Sequence, residues 1–498
     1  MDGRRGRRES KRSVRLRTAV LALTAASIGA ALLPGAASAT EHDYTYRIPI
    51  SVSGYQVKQT VTFGQRPPVN GHVTHMEVDI VDAACQNATT CPDATPVPIQ
   101  RLMLHHIVFL NTGRTDQSCG AAGEKILGFD NMTLAPPVER FYAAGEERAK
   151  LAMPAGYGYP LGDPATSNWA VLYMVMNHKP DLDSAYIQYK VTVDDDPAVE
   201  DAKPVWLDER NCSADPIYNV PGTGEKGATD VQSREFTVSP DLLGASGGRI
   251  ISGAGHVHGG AHELNLTQPS CGNRELFNSE PTWGRKDHPF YNVRPILHEP
   301  GPISMTAFQT PTGFPFQAGE PLRLNSIYDN TRPHTRVMGI MIVYVAPDDE
   351  AGAEPCGPLP TDVSYTGRPD GRTKGPPHFE VPLTGLDENG DAITIDHPEG
   401  ELRDLDSGDT IGVKDNLFTK RNIRIDAGDK LNWSYDSSNL HNLTLANGPK
   451  AIGGPNLSRD GSGEPRVFTK RFKRPGTYRL FCALHPVQMT ERVVVRDR

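Results

Sequence analysis

Beyond residue 40 the sequence has almost no long helical periodicity, and no apolar run there could cross a membrane as a helix. A helical bundle and a helical membrane protein are thereby excluded. Excess positive charge is missing as well. Lys and Arg number 51 against 60 Asp and Glu, a formal net charge of −9. An acidic chain is a poor nucleic-acid binder. No convincing short repeat is present. Gly (48) and Pro (42) punctuate the chain. Together they make up about 18% of it, below the roughly 25–30% of low-complexity chains. A loop-rich globular protein fits, and 498 residues suggest about three domains.

Cysteine is scarce, and its count of seven is odd. In an oxidising compartment one thiol must stay outside the disulfides. The N-terminus speaks to the compartment. Residues 1–17 carry a net charge of +6, an apolar run follows from Thr18 to Leu33, and Ala37-Ser38-Ala39 offers small residues for cleavage. This pattern predicts a secretory leader over 1–39 and a secreted or extracytoplasmic protein with no membrane span in the mature chain. Removing the leader's +6 leaves a mature net charge of −15.

Alternating apolar and polar runs fill the rest: Tyr44–Val52, Val73–Val81, Leu102–Leu110, Ala170–Met176, Ala185–Val193 and Arg336–Val345. Gly, Pro, Asn and Asp clusters separate them. The pattern predicts an all-β protein, mostly antiparallel and built of sandwiches. Boundaries are expected near residue 200, after Asp194-Asp195-Asp196-Pro197, and in a linker over 351–377. The expected units are 40–200, 201–350 and 378–498.

The last unit holds the strongest motif. Phe481-Cys482-Ala483-Leu484-His485-Pro486-Val487-Gln488-Met489 places thiolate, imidazole and thioether within one loop. Cys and Met suit Cu(I), and a trigonal His₂Cys set with a long axial Met is an electron-transfer copper site. His441, in Asn439-Leu440-His441-Asn442, is the candidate second imidazole. The flanks Ile423-Arg424-Ile425-Asp426-Ala427-Gly428-Asp429 and Phe472-Lys473-Arg474-Pro475-Gly476-Thr477-Tyr478 resemble the cupredoxin (plastocyanin/azurin) family. The resemblance implies a Greek-key β-sandwich with one type 1 blue copper on His441, Cys482, His485 and Met489. Three residues separate His485 from Met489, whereas the family uses two or four. A multicopper oxidase would need His on both sides of the Cys, where Phe481 and Ala483 stand.

Two further copper sites are expected upstream. His105-His106 lies in a strand-like run, and adjacent strand residues point to opposite faces. The two can share a metal only if the strand is locally distorted or different ring nitrogens are used. His256-Val257-His258 is better placed, because residues i and i+2 share a face, about 6.5–7 Å apart. Gly253, Gly255, Gly259 and Gly260 leave room there for a ligand and dioxygen. Leu104-His105-His106, Leu151-Ala152-Met153-Pro154-Ala155-Gly156-Tyr157-Gly158, the strand Val171–His178, His256-Val257-His258 and Val337-Met338-Gly339 follow in that order. This succession resembles the copper type II ascorbate-dependent monooxygenases, the peptidylglycine α-hydroxylating and dopamine β-monooxygenase family. The resemblance covers about residues 45–350.

It implies two consecutive β-sandwiches facing each other across a solvent-filled cleft. His105, His106 and His178 would hold an electron-storing copper. His256, His258 and Met338 would hold the catalytic copper that binds dioxygen, the thioether favouring Cu(I). Two mononuclear type 2-like sites and one blue site are thus expected. Dioxygen, a small-molecule substrate and a reductant, either ascorbate or an electron-transfer protein, are the expected partners. The reaction implied is hydroxylation of a C–H bond. Because Cys482 sits in the same chain as a site that must be re-reduced, the cupredoxin unit is expected to feed electrons to the His105/His106/His178 copper. A non-catalytic copper-binding or electron-carrier protein is the alternative.

The family's substrate-carboxylate Arg is replaced by Ala254, and its Asn and Tyr after the Met by Ile340 and Ile342. Peptide amidation is therefore not expected. His334 is read as supporting Met338, and His72, His75 and His262 as structural or surface residues. With Cys482 assigned to copper, Cys85, Cys91, Cys119, Cys212, Cys271 and Cys356 can form three bridges in fifteen ways. The monooxygenase resemblance favours Cys212–Cys356, and Cys85 has Cys91 or Cys119 within reach.

Overall fold

The structure is a computed structural model describing residues 41–497. Short stretches at 85–90, 92–93, 119–125, 128–132, 135–137, 211–212, 214, 286–287, 349–355, 368–374, 379–380, 382, 387–391 and 395–399 are excepted. The leader expected at 1–39 lies outside the described residues. So do Cys85, Cys119 and Cys212.

The protein is all-β, as its alternation predicts. Among the described residues the helices are single 3₁₀ turns at Pro240–Leu242, Pro269–Cys271 and Pro289–Tyr291. None is long and apolar enough to cross a membrane. Three sandwiches follow one another. In the first, Glu41–Val52, Asp183–Asp194, His72–Asp82 and Tyr157–Pro160 form one sheet. Val57–Gly64, Trp169–Asn177, Leu102–Thr115 and Val138–Gly145 form the other. Ile48, Ile80 and Val191 of one sheet pack with Ile107, Phe109 and Val171 of the other.

The second sandwich pairs a sheet containing Lys203–Asp208, Gly339–Asp348, Gly247–Val257 and Ala307–Gln317 with one made of Thr229–Thr237, Pro321–Asp329, Ala261–Gln268 and Arg274–Asn278. The third packs Asn422–Asp426, Thr490–Arg496, Gly476–Phe481 and Thr444–Asn447 over Thr410–Lys414, Lys430–Tyr435 and Arg466–Arg471. Trp433, with no exposed surface, sits in that core and donates Nε1–H to Glu491 (2.9 Å).

Three expectations are corrected. The segment read as a linker over 351–377 contributes Ser364–Thr366 as an edge strand on Ala307–Gln317. The favoured Cys212–Cys356 bridge is not formed. Cys356 pairs with Cys271, whose turn after Ala261–Gln268 brings the Cα atoms to 5.3 Å, inside the span a disulfide needs. The expected solvent-filled cleft is narrowed to a partly packed seam that keeps cavities beside the histidines. Met338, Ile340, Ile342 and Tyr344 of the second sandwich join the core of the first. Tyr344 Oη donates to the Phe141 carbonyl (2.7 Å) across it. The hydrophobic gain from burying these side chains, about 25 cal/mol per Å², favours this contact.

The third sandwich docks on both others. Val57, Met103, Met176 and Leu297 enter its core cluster. Val57 N–H donates to the Leu484 carbonyl (3.1 Å), and Arg336 Nη1 to the Gly454 carbonyl (2.8 Å).

Candidate metal centres

In the third sandwich the loop after Gly476–Phe481 winds tightly. His485 N–H donates to the Cys482 carbonyl (3.0 Å), Met489 N–H to the His485 carbonyl (2.9 Å), and Cys482 N–H to the Met489 carbonyl (3.0 Å). These bonds turn the side chains of Cys482, His485 and Met489 inward. His441 arrives from the opposite loop. Its Nδ1 lies 3.2 Å from His485 Nδ1 and 4.0 Å from Cys482 Sγ, and Sγ lies 3.7 Å from His485 Nδ1. Two ligands of one trigonal ion with bonds of about 2.0–2.3 Å span such distances, so the residues fit copper. Cys482, Met489 and His441 are fully buried.

Asn442 fastens the two loops together. Its N–H donates to Cys482 Sγ (3.4 Å) and its Oδ1 accepts from Ala483 N–H (2.7 Å). Burial raises the Cys482 thiol and lowers His441 and His485 to about 4, so both imidazoles are neutral donors at ordinary pH. Cys482 is the free cysteine among the described residues.

The second cluster lies at the seam between the first two sandwiches. The strand Leu102–Thr115 carries the distortion that a shared site at His105-His106 requires. Met174 pairs with His106 and Val175 with Leu104, leaving His105 as the extra residue of a β-bulge. The two rings therefore stand 3.9 Å apart. His106 reaches across the seam, its Nε2 2.9 Å from His258 Nε2. Donor atoms of His105, His106 and His258 lie within 4.8 Å of one another. His256 approaches from the same strand end as His258, its ring 4.9 Å from that of His106.

The grouping differs from that implied by the resemblance. His105 and His106 gather with His258 rather than with His178. His178 is buried at the end of Trp169–Asn177, and its Nδ1–H donates to the Ile99 carbonyl (3.0 Å). It belongs to none of the clusters of three His, Cys, Asp or Glu donors found among the described residues. The narrowed seam is the physical reason, because it brings His258 up to His106. Met338 is 7% exposed and lines the same cavity as His106 and His256. His334 does not touch this cluster through a hydrogen bond. Its Nδ1 faces Glu299 Oε2 at 2.8 Å.

Sequence reasoning missed the residues that hold these rings. Glu146 and Glu147 follow the strand Val138–Gly145. Glu146 Oε1 accepts from His105 Nδ1 (2.5 Å) and from His298 Nε2, while its Oε2 accepts from Gly301 N–H (2.8 Å). Glu147 Oε2 accepts from His256 Nδ1 (3.0 Å) and its Oε1 from Gly145 N–H (2.8 Å). His258 Nδ1–H donates to the Arg336 carbonyl (2.8 Å). A partner on one ring nitrogen fixes the tautomer and aims the other nitrogen at a metal. His256 Nε2 and His298 Nδ1 are indeed buried without a hydrogen-bond partner. Burial lowers His105 to about 4 and His106 and His258 well below the usual range. Burial opposes the charge on His256 too, but the Glu147 carboxylate outweighs it and raises that group.

A cavity lies between the histidine cluster and the cysteine loop. It is bordered by His106, His258 and Met338 on one side and by Asn442, Ala483 and Leu484 of the cysteine loop on the other. A second, apolar cavity opens beside His106 and His256, lined by Val108, Leu172, Ala254, Ile340 and Ile342.

No protein-family model and no curated protein matches the chain. Among solved structures, an oxidised amicyanin variant is similar over 18% of this chain and 82% of its own, at 22% identity and a TM-score of 0.16. A Cu(I) form of another amicyanin variant shows 23% identity over 18% and 85%, also at 0.16. A purple cupredoxin from Nitrosopumilus maritimus matches over 18% and 98%, at 21% identity and 0.15.

Proposed function

We propose that the protein is an extracytoplasmic copper monooxygenase whose cupredoxin unit supplies electrons to the interdomain histidine cluster. The observation that carries this reading is the shared cavity between the cysteine loop and His106, His258 and Met338. His441, Cys482, His485 and Met489 would hold the blue copper. His105, His106, His256 and His258, with the Met338 thioether beside them, would hold copper at the seam. Bound there, copper supplies one-electron chemistry and dioxygen activation.

Monooxygenation delivers one oxygen atom to a C–H bond and the other to water, consuming two electrons and two protons. Ascorbate or an electron-transfer protein is the external reductant. A hydrogen-bonded path leaves the cysteine loop toward the seam. Asn442 N–H meets Cys482 Sγ (3.4 Å), the Leu445 carbonyl accepts from Thr335 Oγ1 (3.1 Å), and the Arg336 carbonyl accepts from His258.

The cavity beside His256 suits a small apolar substrate. Ala254, Ile340 and Ile342 keep the walls nearest His256 apolar, and Arg140, which also lines the cavity, is paired with Asp116 (2.7 Å). The test is substrate-dependent dioxygen uptake by the copper-loaded protein with ascorbate, across a panel of small apolar molecules. Uptake is expected to vanish in H256A, and in C482S when the donor is a protein. Absence of any substrate-dependent uptake leaves the second reading, an electron-carrier protein. That reading is favoured by the intact blue-copper ligand set alone.

A further inference from the structure

Glu146 and Glu147 are adjacent and buried, at 6% exposure each. Their ion-pair partners among the described residues are histidines alone. The next cation in the chain, Arg148, turns away to Asp79 (3.1 Å) and to the carbonyls of Leu104 and Gly145. Two enclosed carboxylates without Lys or Arg carry a large desolvation cost, which a bound cation offsets. Donor atoms of His105, Glu146 and His298 lie within 4.8 Å of one another, and the His105 and His298 rings are 4.4 Å apart. His298 faces Glu146 Oε1 with Nε2, the nitrogen that would take the ion in place of the shared proton, and its Nδ1 is buried without a hydrogen-bond partner.

We infer that His105, Glu146 and His298 form a second metal position at the seam, beside the one at His106 and His258, so that the centre is dinuclear. The inference rests on the reading that the seam binds copper. His105, the bulged residue, belongs to both groups and stands between them. Each position draws ligands from both sandwiches, so metal binding and domain closure reinforce each other. A carboxylate is a harder ligand than a thioether. The Glu146 position therefore favours a divalent ion, Cu(II) or Zn(II), and the Met338 side favours Cu(I). His178 contributes to neither.

The test is metal counting on the full mature chain, loaded with Cu(II) and freed of excess. Retained blue absorption serves as the check that each variant is folded. Wild type is expected to hold three ions per chain, H298A and E146Q two, and H178A three. Imidazole added to H298G is expected to restore the third ion, a rescue that a purely structural role would not give. Two ions in wild type would overturn the inference and leave the proposed function standing. One ion would overturn both. Three ions in H298A, or two in H178A, would return the second position to other ligands and overturn the inference.

Discussion

At the scale of single residues the chemistry depends on burial. Cys482 has no exposed surface, and Asn442 N–H is directed at its sulfur. On the proposed reading, C482S removes the soft thiolate of a blue copper site. It is expected to abolish the blue absorption while leaving metal bound at the seam, as read by optical spectroscopy and metal analysis. Glu139 tests the same principle away from the metals. Burial raises its carboxyl from 4.5 to about 7, although Tyr159 Oη donates to it (2.5 Å). The folded state holds this proton more tightly than the unfolded state, so the stabilisation is complete below about pH 4.5. It is lost as pH rises through about 7. E139Q keeps the acceptor and cannot ionise. Its stability relative to wild type should rise between those pH values, by up to about 3 kcal/mol. Urea denaturation at pH 4.5 and pH 8 measures this, and a pH-independent difference would contradict it.

Elements decide which of these residues meet. The bulge at His105 converts a strand that would separate two neighbouring rings into one that gathers them. The turn after Val138–Gly145 is as exacting. A Cβ on Gly145 would lie 2.6 Å from His256 Nδ1 and 2.6 Å from Glu147 Oε2. G145A changes no ligand, yet it should push His256 off its carboxylate. Copper affinity at the seam is expected to fall by about 10–100-fold, the usual cost of losing an outer partner. Competitive chelator titration reads the loss, and the blue site should be unaffected.

The sequence reveals elements unevenly. The cysteine loop was legible because three ligands lie within one turn. The strand alternation was legible because one face of each strand is buried. Glu146-Glu147-Arg148 looks like a solvated charge run, and His298 sits in no motif. Only tertiary packing brings them to His105. The bulge was foreseen as a condition on His105-His106, and its presence was not readable from the residues. Cys271–Cys356 escaped because spacing alone does not choose among connectivities.

Across the whole molecule three sandwiches act on one another through the seam. The Cys271–Cys356 bridge ties the segment carrying the edge strand Ser364–Thr366 back to the second sandwich across a separation of 85 residues. The C271S/C356S double variant should lose about 2–5 kcal/mol of stability by denaturant titration, with the blue spectrum unchanged. Functionally, the narrowed seam and the docked third sandwich bring the Cys482 loop and the histidine cluster to opposite walls of one cavity.

The most direct test is rapid reduction of the copper-loaded protein without oxygen, following the blue absorption and the paramagnetic signal of the seam together. The account predicts that the reduced blue site re-oxidises in a first-order step, independent of protein concentration, as the seam signal falls. Re-oxidation that scales with protein concentration, or a seam signal that does not change, would contradict it.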